Sequence, residues 1–87
     1  MFHIVSLMRV GNAQQIVCEE FGAVDADRRG VRDACEENVR RIGAVWSYGF
    51  DRGDFIGGSH QPNTDQDTML SYVSRARSEL IKRGLYR

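Results

Sequence analysis

WSYGFDRGDFIGGSH, residues 46 to 60, holds an alternating aromatic run, a turn and four glycines within fifteen positions. With Ala44 just ahead, Ala44, Trp46, Tyr48 and Phe50 fall on one side of an extended chain and Val45, Ser47 and Gly49 on the other. That period of two marks a strand. Asp51-Arg52-Gly53 then suits a short hairpin loop, a type I turn closed by a glycine bulge, with the chain returning through Asp54-Phe55-Ile56. The stretch is therefore a β-hairpin before it is anything else.

A second hairpin lies upstream. FHIVSLMRV, residues 2 to 10, is rich in β-branched and long apolar side chains, and Gly11-Asn12 supplies a turn before QQIVCEEF at 14 to 21. In its first strand Phe2, Ile4, Met8 and Val10 point one way and Val5 and Leu7 the other. Both faces are apolar, unlike those of a strand with one wet side, which asks for cover on each.

Each hairpin is followed by a helical pattern. Between Asp27 and Ile42 the residues Val31, Cys35, Val39 and Ile42 recur at helical spacing, with Asp25 or Asp27 as N-cap and Gly43 suited to the left-handed position after the end. Glu36 with Arg40 and Glu37 with Arg41 form i,i+4 pairs. After Pro62, Thr64 and Asp67 resemble a capping box, Met69, Val73, Ala76 and Leu80 form an apolar stripe, and Gly84 ends the helix. Leu85-Tyr86 is placed to fold back on that end.

The order is ββαββα in two units, residues 2 to 43 and 44 to 84. It predicts one small α+β domain over residues 1–87: a four-stranded antiparallel sheet with two helices packed on one face. The aromatic row then lies on the core side, and Val5 and Leu7 lie on an outer face open to a partner.

Twelve basic and twelve acidic residues leave no net charge, so no overall field draws the chain to nucleic acid or to an acidic membrane. The apolar start is too short to span a bilayer and lacks a leader's cleavage pattern, and Cys18 and Cys35 form no CxxC pair. A reduced, cytoplasmic protein with no membrane contact is the expectation.

Catalysis and cofactors find little support. His3 and His60 are isolated, the cysteines have no ligand neighbours at zinc spacing, and Asn63, Asp65 and Asp67 begin a calcium-like loop that has Thr68 and Ser74 where glycine and glutamate are needed. No metal and no cofactor is expected. Arg52-Gly53-Asp54 is the tripeptide that integrins recognise, yet turn chemistry accounts for all three residues.

A non-catalytic protein-binding module follows, a small regulator, adaptor or inhibitor acting through its sheet face or edge. Its partner is another protein or a second copy in a homodimer, and Val5, Leu7, Arg52 and Asp54 are the candidate contacts. Two rivals stand beside it. Arg75, Arg77, Lys82 and Arg83 on the last helix could contact nucleic-acid phosphates. Ser59 and His60 could centre a small hydrolase or ligand site, although neighbours in a strand point apart.

Overall fold

The computed structural model describes residues 2–21 and 28–85. The elements are β1 (Phe2–Val10), β2 (Ala13–Phe21), α1 (Arg28–Arg40), β3 (Trp46–Asp51), β4 (Asp54–His60) and α2 (Gln66–Lys82). The strands form one antiparallel sheet in the order β2-β1-β3-β4. The α+β class and the ββαββα order are those read from the sequence.

Gly11-Asn12 makes a two-residue turn between paired Val10 and Ala13, with Gly11 at φ 63°. The other hairpin is tighter than expected. Asp51 pairs with Asp54, so Arg52 and Gly53 alone form the loop, at φ 54° and 87°. Positive φ at both central residues is the type I′ arrangement, whose twist matches that of the flanking strands. Arg52 carries the conformational cost, since a Cβ in the left-handed region is unfavourable and asparagine is the side chain that best tolerates it there. Arg52→Asn is expected to stabilise the fold by about 1 kcal/mol, read as a higher urea midpoint at unchanged slope.

The helices do not share a face. On β3, Trp46, Tyr48 and Phe50 join Val5 and Leu7 of β1 in a core closed by Val73, Ala76 and Leu80 of α2. On the other side Ile4 and Ile56 pack with Val31 and Cys35 of α1. Alternation along β1 sends Ile4 and Val5 to opposite sides, so the sheet is the middle layer of three. The expectation of both helices on one face is corrected by this, and the apolar double face of β1 is its sequence signature.

Val5 and Leu7 are corrected with it. The β1–β3 register sets Val5 opposite Tyr48 and Leu7 opposite Trp46. Directly opposed residues share a face, so both lie with the aromatic row beneath α2, at 0% and 2% exposure.

Both helices keep most of their expected stripes. Val31, Cys35 and Val39 are buried, but Ile42 falls beyond the end of α1 and is 62% exposed. The proposed caps Asp25 and Asp27 lie outside the described residues. In α2 the N-cap is Asp65, not Thr64: its Oδ1 accepts the Thr68 N–H at 2.7 Å. At the other end Gly84 takes φ 73°, its N–H donates to the Ile81 carbonyl, and the Leu85 N–H donates to the Leu80 carbonyl. This is a Schellman closure with Leu85 packed on the core. Tyr86 lies outside the described residues.

The Thr68 hydrogen bond holds the Asp65 carboxyl below its ordinary range. A depressed carboxyl in the native state adds stability above its unfolded value that is lost as pH falls through the folded value. The cap of α2 is therefore expected to weaken below about pH 4, on the ordinary aspartate scale. Asp65→Asn keeps a capping oxygen and should remove that pH dependence, as followed by thermal melts between pH 3 and 7.

Candidate functional site

The two covered faces leave the sheet's edges as its exposed main chain. Which groups face outward follows from the β1–β2 hairpin. A two-residue loop is closed by a pair that exchanges both hydrogen bonds, and bonded pairs then alternate along the ladder. From Val10↔Ala13 the bonded pairs are therefore Met8↔Gln15, Ser6↔Val17 and Ile4↔Glu19. The N–H and C=O groups of Gln14, Ile16, Cys18 and Glu20 consequently point away from β1, along the outer edge.

That edge runs through nine residues with a continuous register. Gln14, Gln15, Glu19 and Glu20 are exposed, and Ile16, Val17 and Cys18 are half-buried. Among the described residues one side-chain hydrogen bond reaches it from the C-cap of α2, where the Arg83 guanidinium donates to the Ile16 carbonyl at a long 3.4 Å while its Nε holds Glu79 at 2.9 Å. Burial raises the Cys18 thiol above its ordinary value against the lowering field of Arg83. That thiol is thus a weak nucleophile at neutral pH.

The β4 edge differs. Gly49 opposes Gly57 while Phe50 opposes Phe55, so Ile56 is an extra residue and β4 carries a bulge. The Ile56 carbonyl accepts a 3.2 Å hydrogen bond from Arg32 Nε, and Gly57 sits at φ 137°. Bulges and cationic side chains are the usual means by which a sheet edge is closed to strand pairing.

The other sequence candidates do not come together. Arg52 sits in the β3–β4 turn and Asp54 just after it, and both are exposed. Along α2, Arg75 and Lys82 are seven residues apart and share a side, whereas Arg77 lies ~160° round the helix from Arg75. The Arg77 Nε is buried with no partner among the described residues, and Arg83 is held by Glu79. The four cations thus do not form one phosphate-facing surface.

Ser59 and His60 both border a depression of about 440 Å³ beside Glu36, Val39 and Arg40. As strand neighbours they point to opposite faces. The His60 ring lies edge-on to Tyr48, with Nδ1 3.3 Å from the Tyr48 hydroxyl. Burial, reinforced by Tyr72, pushes that phenol up to about 12. Asp54 is at the far end of β4, and the Asp65 carboxylate caps α2. Neither Asp54 nor Asp65 therefore completes a Ser-His arrangement.

A buried polar cluster under α1 was not foreseen. The hydroxyls of Ser6 and Ser47 lie 2.8 Å apart, Asn38 Nδ2 donates to Ser47 Oγ at 3.3 Å, and the Cys35 thiol hydrogen-bonds to Ser47. Burial raises Cys35 to about 11, which together with its complete enclosure makes it inert. Its visible effect is to fix α1 on the sheet. Among the described residues no group of three or more His, Cys, Asp or Glu side chains could hold a metal ion, and no helix is long and apolar enough to cross a membrane.

The outward groups of β2 were missed because strand order, not local pattern, makes a strand an edge. A usable signal was present in its polarity: Gln14, Gln15, Glu19 and Glu20 frame β2, whereas β3 is buried from Trp46 through Phe50. Comparison with protein families, with curated proteins and with solved structures finds no match to this chain.

Proposed function

We propose that the chain is a non-catalytic protein-binding module that offers the outer edge of β2 for strand addition. The observation that carries the reading is the contrast between the two edges: β2 is long and regular, whereas β4 is broken by a bulge. An added strand gains main-chain hydrogen bonds from Gln14, Ile16, Cys18 and Glu20, while side chains on either face select the sequence. In this reading the module works as a small regulator, adaptor or inhibitor by occupying a strand of its partner. Arg52 and Asp54, at the hairpin tip, are outside the contact.

Proline separates edge from fold. At Glu20 the lost N–H points outward, so Glu20→Pro removes an edge donor without breaking the β1–β2 ladder. At Glu19 the N–H bonds to β1, so Glu19→Pro should unfold the hairpin. Captures from a source-cell lysate with wild type and with Glu20→Pro are then compared, folding being checked by circular dichroism. Loss of the captured chains with native ellipticity supports the reading; a folded Glu20→Pro that captures the same chains overturns it.

A further inference from the structure

The residues along β2 also bear on which strand fits its edge. Take a second copy of β2 running antiparallel about a two-fold axis through Val17. Gln14 then opposes Glu20, Gln15 opposes Glu19, Ile16 opposes Cys18, and Val17 opposes its own symmetry mate. Each carboxylate meets an amide that can donate to it, and the half-buried apolar residues meet one another at the centre. Charge-assisted pairs of that kind are stronger than neutral ones.

The main chain agrees with the side chains. In this register Gln14↔Glu20 and Ile16↔Cys18 join residues whose polar groups already point outward, so they become bonded pairs that exchange roughly eight hydrogen bonds over the two-fold. Val17↔Val17 and Gln15↔Glu19 become the non-bonded pairs, as their inward-facing groups require. Moving the axis to Cys18 keeps that pattern but sets Glu20 against Ile16 and Glu19 against Val17. Moving it to Glu19 brings two carboxylates face to face. Of these three axes, only the one at Val17 both keeps the main-chain pattern and sets each carboxylate against a donor.

Among the described residues the helices leave room for the arrangement. The buried stripe of α2 lies in one cluster with Val5 and Leu7 of β1 and the aromatic residues of β3, and Ile16 and Cys18 of β2 pack at its margin. Two β1 strands would be three inter-strand spacings apart, about 14 Å. Packed helices need about 8–10 Å. The Ile16 carbonyl would exchange its long Arg83 contact for a main-chain N–H, and Arg83 would keep Glu79.

We infer that the partner fitted by the β2 edge is a second copy of this chain, joined antiparallel about Val17 into a continuous eight-stranded sheet. The inference rests on the edge reading above and deepens it.

Cross-linking tests the register. Non-bonded antiparallel pairs have Cα atoms about 4.5 Å apart, within the span of a disulfide. In a Cys18→Ser background, Val17→Cys should oxidise to a covalent dimer at least tenfold faster than Gln15→Cys, whose two copies lie about 14 Å apart. In sedimentation at high micromolar concentration the wild type should weigh about twice its 9.9 kDa, and Glu20→Pro should weigh 9.9 kDa. Equal cross-linking of the two cysteine variants, or a wild type that stays monomeric at ~1 mM, overturns the inference. If the wild type is monomeric yet Glu20→Pro still loses captured chains, the second copy is wrong and the edge stands. If Glu20→Pro alters neither mass nor capture, both fail.

Discussion

Trp46→Ala is expected to destabilise the protein by about 3–5 kcal/mol, the usual cost of emptying a fully buried tryptophan site. A chain of 87 residues has roughly 4–13 kcal/mol in total at ordinary per-residue values, so this one change brings it close to unfolding. The reason is position. Trp46 is 0% exposed, and its ring stacks on Tyr48 at 5.2 Å and on Tyr72 of α2 at 5.9 Å. Tyr48 carries the contact on to Phe55 and His60 of β4. Removing the indole therefore loosens the seat of α2 as well as the sheet.

A second substitution separates packing from polarity. The indole Nε1 of Trp46 is buried without a hydrogen-bond partner among the described residues, so phenylalanine gives up no bond there. Trp46→Phe should cost under about 1.5 kcal/mol. Urea denaturation followed by far-ultraviolet circular dichroism distinguishes the two, since the protein's only tryptophan is the residue replaced. A Trp46→Ala variant within about 1 kcal/mol of wild type would mean that α2 does not close on this ring.

The aromatic row was legible because a period of two survives in a strand whatever surrounds it: Trp46, Tyr48 and Phe50 are buried together as their alternation implies. The Arg52-Gly53 turn was legible as a turn but not in type. Its two-residue length shows only in the pairing of Asp51 with Asp54. The placement of α1 was harder to read. Its stripe of Val31, Cys35 and Val39 states that one face is covered, and says nothing about which side of the sheet receives it. That side is set by β1 moving to the interior of the sheet, where Ile4 and Val5 both need cover. The same strand order made β2 an edge, so the candidate site could not be read from local pattern, and Val5 and Leu7 were assigned to the surface when they belong to the core.

Gly49→Ala provides the sharpest test of the three-layer arrangement. In an ordinary strand alanine is at least as good as glycine, since it loses less backbone freedom on folding. Here a Cβ on Gly49 would lie 2.2 Å from Val31 Cγ1. Val31 is 0% exposed and packs with Ile4, Cys35 and Ile56, so it has no free space to move into. On this side the middle of β3 offers Ser47 and Gly49, and their smallness lets α1 come close enough for Asn38 and Cys35 to reach Ser47. Overpacking of this kind costs about 1–3 kcal/mol, and a contact so short belongs at the upper end. Val31→Ala removes the opposing methyl groups, so the double variant should be more stable than the sum of its single changes implies, with a coupling of about 1–2 kcal/mol. Helices on one face of the sheet would leave Gly49 far from Val31 and the two substitutions additive. Denaturant midpoints of the four proteins in the cycle decide between these geometries, and a neutral Gly49→Ala would remove α1 from the side of the sheet opposite α2.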